Sequence, residues 1–220
     1  MKSIILLAPP AAGKGTQSEL ICNKYNVPHI STGDLLRTAV RDNHPLAQTI
    51  SDLINSGALV TDEIVLDLLK ERLTKCDCDN GYVLDGFPRN VSQAVTYEEI
   101  LKEIDKELGI VILLDIDRKL AKKRIVGRLS CQACGSVYNS MFDEHKSKVD
   151  GACDNCHSVL TKRDDDNEET FDKRFDAYVE KTKPLIDYYN EKEVLYRIDS
   201  GINKEHTFNE IEKIIKEQND

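Results

Sequence analysis

The sequence predicts an α/β protein in which parallel strands alternate with helices. Short apolar runs, typical of strands buried on both faces, recur between segments whose apolar residues have helical spacing. This alternation predicts parallel strands joined by right-handed crossovers. The interval 128–163 interrupts the alternation, because it is rich in Cys, Asp, Ser and Gly and contains only short mixed segments. We interpret it as a small inserted domain.

The individual elements follow from the same patterns. The apolar run at 4–8 is the first predicted strand, and a turn rich in Pro, Gly and Ala separates it from the first helix. Five strands are predicted, at 4–8, 27–30, 82–85, 110–115 and 194–198. Helices are predicted at 15–25, 34–42, 45–55, 62–74, 92–107 and 117–127, with a terminal helix carrying Phe208, Ile211, Ile214 and Ile215.

Capping residues support three of the helix starts. Thr61 with Asp62 precedes the helix at 62–74, and Asp117 precedes the helix that ends near 127. Asp166 and Glu169 have the spacing of a capping pair for a further helix.

Composition limits the class of protein. The chain has 220 residues, of which 40% are hydrophobic, so it can bury a full core. Its net charge of −9 disfavours general binding to nucleic acid or an anionic membrane. The chain has no apolar run long enough to span a bilayer and no secretory cleavage signal. Its seven cysteines are an odd number, which suits a reducing compartment better than a disulfide framework. We expect a cytoplasmic protein.

The turn after the first strand has the context of a phosphate-binding loop. It runs from Ala8 to Thr16 between a strand and a helix, so its backbone N–H groups could surround phosphate oxygens. Lys14 would reach the β- and γ-phosphates, and the Thr16 hydroxyl suits phosphate or Mg²⁺. The strict pattern begins with Gly where Ala8 stands, and Ala11 replaces a further Gly that is usual in this loop. A connection that contains Gly-Lys by chance remains the alternative.

Four cysteines have the spacing of a metal site. Two CxxC pairs are separated by eighteen residues, which fits a closed tetrahedral zinc site. Such a metal can order a region too small to build its own core. Reduced thiols without metal are the alternative, and His145 or His157 could substitute as ligands. The predicted ligands are Cys131, Cys134, Cys153 and Cys156.

Charged residues recur at the predicted strand ends and around the insertion. Asp85 closes a buried strand and is followed by Gly-Phe-Pro-Arg. Ligands of open α/β sheets bind beyond the carboxyl ends of the strands, where a carboxylate can hold the water shell of Mg²⁺ and an arginine can bind phosphate. Arg124 and Arg128 precede the insertion on one helix face, and further arginines follow it. A structural turn and solvated charge pairs are the alternative explanations.

In this order, the motifs resemble the adenylate kinases over essentially the entire chain. The matching strings are 13–17, 29–37, 57–60, 85–89 with Gln93, 124–128, the cysteine tetrad with Val137 and Tyr138, 163–166, and Arg174. The departures are Ala8, Ala11 and His157, which stands where a small residue is usual.

The resemblance implies a P-loop nucleoside monophosphate kinase fold, with a five-stranded parallel sheet flanked by helices and two small insertions. The core would comprise 1–30, 61–126 and 165–220, the AMP-binding insertion 31–60, and a zinc-binding lid of the long bacterial form 127–164. The implied reaction is reversible transfer of phosphate from ATP to AMP with Mg²⁺, giving ADP, by a monomer that serves adenine nucleotide homeostasis and binds neither nucleic acid nor membrane.

The resemblance also implies site residues. The catalytic set is Lys14, Asp85, Arg89, Arg128, Arg163 and Arg174. The ATP-binding set is Ala11, Ala12, Gly13, Lys14, Gly15, Thr16, Arg124, Arg128, Val137, Tyr138 and Ile202. The AMP-binding set is Thr32, Arg37, Ala58, Leu59, Val60, Gly86, Phe87, Pro88, Arg89, Gln93, Arg163 and Arg174, with Gln93 at the position that reads adenine.

Three other functions remain open at this level. Ala8 and Ala11 could have left a nucleotide-binding protein with impaired catalysis. The acceptor could be another nucleoside monophosphate, such as UMP or CMP, although Gln93 favours AMP. A zinc-ribbon protein that binds nucleic acid is disfavoured, because the sequence lacks a basic stripe.

Overall fold

The computed structural model describes residues 1–55, 60–163 and 166–219, which form eight strands and eight α-helices. The strands are β1 (Ile4–Leu7), β2 (His29–Ser31), β3 (Val83–Asp85), β4 (Ile110–Asp115), β5 (Arg128–Cys131), β6 (Val137–Asn139), β7 (Leu160–Thr161) and β8 (Leu195–Asp199). The helices are α1 (Lys14–Tyr25), α2 (Thr32–Arg41), α3 (Ala47–Asn55), α4 (Asp62–Leu73), α5 (Val91–Glu103), α6 (Arg118–Val126), α7 (Glu168–Glu191) and α8 (Lys204–Asn219).

The main sheet confirms the predicted α/β class. Its strand order is β2-β3-β1-β4-β8, and every neighbouring pair is parallel. The residues of β1 alternate between two hydrophobic clusters, with Ile4 and Leu6 in one and Ile5 and Leu7 in the other. The sheet is therefore buried on both faces, which explains why its strands are short apolar runs without polar alternation.

The second strand begins later than predicted. The prediction was 27–30, but β2 covers His29–Ser31. The N–H of Val27 donates to Cys22 O at the end of α1, and Pro28 has no N–H to offer a sheet. Local hydrogen bonding therefore keeps Val27 out of the sheet, and pairing with β3 starts at the Pro28 carbonyl, which accepts from Val83 N at 3.0 Å.

The cap predictions have mixed outcomes. Asp117 caps α6 as expected, because its carboxylate accepts from two backbone N–H groups of the first turn. Thr61 is the N-cap of α4, but its side chain makes no capping hydrogen bond within the described residues. The prediction that Asp166 and Glu169 form a capping pair is wrong. Asn167 is the N-cap of α7 and accepts from Thr170 N, whereas Asp166 is buried beside Arg128.

The interval 128–163 carries a separate antiparallel sheet of order β6-β5-β7. Asn139 joins the end of β6 to α6, since its Nδ2 donates to Arg124 O at 2.9 Å and its Oδ1 accepts from Met141 N at 2.9 Å. The backbone N–H of Ser140 donates to Gly127 O at 2.8 Å. These bonds tie the small sheet to the helix that leads into it.

Across the described ranges, no helix is both long and apolar enough to cross a bilayer.

Candidate functional site

The loop between β1 and α1 has the backbone shape of an anion site. Gly13 has a φ of 89° and precedes the first turn of α1, whose exposed residues include Gly15 and Thr16. The N–H groups at the start of a helix carry partial positive charge and bind anions. Ala11 has a φ of 66°, so an L-residue occupies left-handed backbone at one of the two positions where glycine is usual. The methyl group costs about 1–2 kcal/mol in that conformation.

Lys14 and Asp85 meet at the carboxyl edge of the sheet. Lys14 Nζ lies 2.7 Å from Asp85 Oδ1, and His29 Nε2 lies 3.1 Å from Asp85 Oδ2. β3 lies between β1 and β2, with Asp85 opposite Leu6 and Ser31, which explains the convergence. Burial alone would raise the pKa of Asp85, but the His29 hydrogen bond and the Lys14 ammonium outweigh it and hold the pKa below its ordinary value.

His29 is not among the predicted site residues. Its side chain is hydrogen-bonded to the second oxygen of the carboxylate that Lys14 contacts. The available signal was its position at the start of a strand adjacent to the one that ends in Asp85. That signal depends on strand order, which the sequence pattern alone does not specify.

Three polar side chains lie close to the position that a Gly86 side chain would occupy. A Cβ at this residue would lie 3.8 Å from both Lys14 Nζ and Thr32 Oγ1, and 3.9 Å from Arg89 Nη2. Arg89 Nε donates to Gly86 O at 2.8 Å, and its Nη2 donates to Thr32 Oγ1 at 3.5 Å. Phe87 is buried, and its peptide bond to Pro88 is cis. The structure thus brings two cations, a carboxylate and a hydroxyl to one small region beside the phosphate-type loop.

Gln93 is held on both sides of its amide. Its Oε1 accepts from Arg89 N at 2.7 Å, and its Nε2 donates to Asp62 Oδ1 at 2.7 Å. Arg37 is exposed and pairs with Asp34 at 2.6 Å. Val60 packs on the small cluster between α2, α3 and α4. The predicted positions Ala58 and Leu59 lie outside the described residues.

The arginines at the insertion are held by different partners. Arg124 Nη1 donates to Ser200 O at 3.0 Å, and its Nη2 donates to Gly201 O at 3.2 Å. The next residue along the chain, Ile202, is exposed. Burial lowers the pKa of the Arg124 guanidinium. Arg128 Nε donates to Oδ2 of the buried Asp166 at 2.8 Å. The side chains of Arg163 and Arg174 are exposed, and their role at a transfer site stays a prediction.

The four predicted cysteine ligands form one cluster. Their sulfur atoms all lie within 4.8 Å of one another. Both CxxC turns close in the same way, because Gly135 N donates to Cys131 O at 3.0 Å and His157 N donates to Cys153 O at 2.9 Å. His157 has a φ of 59° and Gly135 one of 77°, so the two residues occupy equivalent left-handed positions. His157 is therefore a turn residue rather than one of the clustered ligands.

The cluster suits a thiophilic divalent ion. Burial raises the pKa of Cys153, but the Tyr138 hydroxyl and backbone N–H groups outweigh it and lower the pKa to about 5. The Ser158 hydroxyl holds the pKa of Cys156 below its ordinary value. Thiolates are the form that binds metal, and four of them in a compact group fit tetrahedral zinc. Within the same cluster the Cys134 N–H lowers the pKa of Cys131, but burial and the hydrogen bond with Cys156 outweigh it and raise that pKa to about 11. Outside the cluster, burial raises the pKa of Cys22 and of Cys78 to about 11 as well.

The chain combines a parallel sheet, a lysine at the start of the helix after β1, an aspartate at the end of β3 and an arginine after it. These features define a phosphotransferase of the P-loop nucleoside monophosphate kinase class. Comparison with known proteins narrows the class. The family model described as adenylate kinase matches residues 6–194. The chain belongs to the adenylate kinase family.

Individual relatives agree over nearly the full length. The chain is 45% identical to the adenylate kinase of Syntrophobacter fumaroxidans over 213 residues, covering 97% of this chain and 99% of the relative. It is 42% identical to the adenylate kinase of Archaeoglobus fulgidus over 214 residues, covering 97% and 98%. The adenylate kinase of Thermodesulfovibrio yellowstonii is 42% identical over 215 residues, covering 98% and 99%.

Proposed function

We propose that the chain transfers the γ-phosphoryl group of ATP reversibly to AMP, giving two molecules of ADP, with Mg²⁺ as the companion of ATP. The observation that carries the proposal is the convergence of Lys14, Asp85, Arg89 and Thr32 around Gly86, beside the loop that precedes α1. Phosphoryl transfer requires mainly positioning and charge stabilisation, and these residues can provide both.

The AMP phosphate attacks the γ-phosphorus of ATP in line. The attacking oxygen is already ionised, so the protein needs neither a general base nor a covalent intermediate. Lys14 and Arg89, both beside Gly86, bind and orient phosphate oxygens, while Arg128, Arg163 and Arg174 approach from the lid side. Their positive charges offset the charge spread over the transferring group.

Nucleotide contacts divide between the two sides of the sheet edge. On the AMP side, Thr32, Arg37, the backbone at 58–60 and residues 86–89 bind the monophosphate, and Gln93 reads adenine. On the ATP side, the loop from Ala11 to Thr16 holds the phosphates and Arg124 supports them. Val137 and Tyr138 also contact ATP, and Ile202 borders its adenine. We take the chain from 31 to 60 as the AMP-binding insertion and from 127 to 164 as the lid, around a core of 1–30, 61–126 and 165–220.

Two metals belong to the proposal. Asp85, kept ionised by Lys14 and His29, would hold the water shell of the Mg²⁺ that accompanies ATP, and this ion would supply positive charge at the phosphates. Zinc is proposed as a structural ion held by Cys131, Cys134, Cys153 and Cys156.

Closure of the lid would exclude water and so limit wasteful hydrolysis of ATP. We further propose that the enzyme acts as a cytoplasmic monomer, where reducing conditions keep the thiolates available.

The test is ADP formation from ATP, AMP and Mg²⁺ by the intact chain. Arg89→Ala is expected to lower kcat by at least about 100-fold, because it removes a charge that is needed at the transferring group. Arg41→Ala is the matched control: Arg41 is also an arginine, but it is exposed and pairs with Asp42. No ADP formation by the unmodified chain, or near-normal turnover by Arg89→Ala with a preserved fold, would overturn the proposal.

The same assay separates the alternatives. Turnover with CMP or UMP above that with AMP would identify a different acceptor. An Ala8→Gly/Ala11→Gly variant that gains turnover by orders of magnitude would show that the natural loop impairs catalysis. We expect AMP to be the preferred acceptor and the glycine variant to remain within about tenfold of the unmodified chain, since the strain at Ala11 is only about 1–2 kcal/mol.

A further inference from the structure

The orientation of the Gln93 amide is determined by two partners of opposite kind. The backbone N–H of Arg89 donates to Oε1 at 2.7 Å, and Nε2 donates to Asp62 Oδ1 at 2.7 Å. Gln93 is buried, with 7% of its surface exposed, so neither contact is readily replaced by water. The two partners come from different elements, since Asp62 is the first residue of α4 and Arg89 lies just before α5.

These partners exclude the flipped amide. A backbone N–H can only donate, and an ionised carboxylate can only accept. If the amide turned over, its NH₂ group would face the Arg89 N–H and its oxygen would face the Asp62 carboxylate. Both contacts would become repulsive. Asp62 and the Arg89 N–H therefore assign the oxygen and the nitrogen of Gln93, which an amide alone leaves ambiguous.

A fixed amide distinguishes purines by the group at position 6. After its two protein contacts, Gln93 retains one N–H and one acceptor lone pair. Adenine offers a ring-nitrogen acceptor next to an amino donor, which matches this pair in one orientation. A 6-oxo purine offers a ring N–H next to a carbonyl, so it matches only the flipped amide. A site that holds the amide still rejects the 6-oxo base.

We propose that Asp62 is a specificity-determining positioning residue that makes the monophosphate site select 6-amino purines over 6-oxo purines by fixing the Gln93 amide. The inference rests on the proposed function, because it requires Gln93 to face the acceptor base. Asp62 itself acts through Gln93 and does not touch the nucleotide. The segment that precedes Asp62 is the AMP-binding insertion of the proposal, so the residue lies where that segment joins α4.

Glu63 provides a matched control that tests whether the role of Asp62 is purely structural. Asp62 and Glu63 are both acidic, exposed and in the first turn of α4, where negative charge stabilises the helix N-terminus. Removing either charge has the same effect on the helix. Only Asp62 carries the hydrogen bond from Gln93 described above. Glu63→Ala therefore reproduces the electrostatic change without releasing the amide.

The experiment compares AMP with IMP in the unmodified chain and in Asp62→Ala, Asp62→Asn and Glu63→Ala. Equilibrium Kd values from titration calorimetry, together with kcat/KM with ATP as donor, give the AMP-to-IMP preference even where turnover with IMP is slow. Asp62→Ala should lower this preference at least about tenfold, through weaker AMP and tighter IMP binding, with kcat for AMP little changed. Asp62→Asn should restore it to within about threefold, because the Asn oxygen still accepts from Gln93.

The outcomes separate this inference from the proposed function. If Asp62→Ala weakens AMP and IMP equally, or if Glu63→Ala changes the preference as much, Asp62 does not set specificity. An unmodified chain that forms no ADP from ATP and AMP refutes the proposed function instead. A thermal melt of each variant confirms that the exposed substitutions leave the fold intact.

Discussion

The two sheets of the molecule differ in how much apolar surface is buried against them. The five-stranded sheet lies between two extensive hydrophobic clusters, in which β1 and β4 are almost entirely buried. The buried members of the cluster at the three-stranded sheet are Cys131, Cys153 and Leu160, and nearby Val149 and Val159 point outward with 65% and 72% of their surface exposed. A region this small buries too little apolar surface to offset the entropy of ordering it. We therefore expect metal ligation by the four cysteines to stabilise the proposed lid, as apolar burial stabilises the main sheet.

The most severe test of the comparison removes one lid ligand. Cys153→Ser should abolish tight zinc binding, whose free energy reaches roughly 10–16 kcal/mol in small zinc peptides. Amide exchange in β5, β6 and β7 should accelerate by orders of magnitude while exchange in β4 is unchanged. Hydrogen-exchange mass spectrometry and metal analysis measure both effects. Cys76→Ser is the control, because Cys76 is exposed and outside the cluster; equal loss of protection in β4 would contradict the contrast.

A smaller effect is expected from cavities in the two regions. Leu84 is fully buried in β3, next to the central strand of the main sheet, so Leu84→Ala should lower the free energy of unfolding by about 2–5 kcal/mol. Leu160→Ala, in the lid, should leave the main unfolding transition nearly unchanged. Urea denaturation followed by far-ultraviolet circular dichroism provides the comparison. The contrast fails if both variants shift the main transition equally.

Hydroxyl groups around the cysteines should moderately increase the affinity for zinc. The Tyr138 hydroxyl accepts from Asp154 N at 2.8 Å, which leaves its hydrogen for Cys153 Sγ at 3.6 Å. Tyr138→Phe should therefore weaken zinc binding about 10–100-fold, as loss of a partner to a metal ligand commonly does. Competition with a chelator measures the affinity. Tyr188→Phe removes a hydroxyl bonded to Glu98 in the core, and an equal loss in that variant would rule out a local effect.

The smallest effect concerns backbone strain in the phosphate-type loop. Ala11→Gly removes about 1–2 kcal/mol of left-handed strain but raises the entropy of the unfolded chain by about 0.4–1 kcal/mol. The net gain in unfolding free energy should lie between about 0 and 1.6 kcal/mol. Ala12→Gly, at a buried neighbour, relieves no such strain and should destabilise. Thermal unfolding distinguishes the signs, and stabilisation by both variants would remove strain at Ala11 as the explanation.

Residues that act through their position along the chain were predictable. Lys14 follows a buried strand, Asp85 ends one, and the four cysteines lie in two short repeats, so local pattern was sufficient to single them out. The pairs Asp62–Gln93 and Arg128–Asp166 were not predictable, because they join distant segments and depend on how the elements pack. Asp166 shows the reason: it had the right spacing for a helix cap, but a tertiary ion pair with Arg128 engaged its carboxylate and Asn167 became the cap.

The strand order also has a consequence for synthesis on the ribosome. β1 emerges first among the strands, yet it lies in the middle of the main sheet between β3 and β4. Until residues 110–115 have emerged, one edge of this fully apolar strand has no partner, and unpaired strand edges are sites of aggregation. The outer strand β8 follows only after the entire lid has been translated. Nascent chains of intermediate length should therefore be the species that most needs a chaperone.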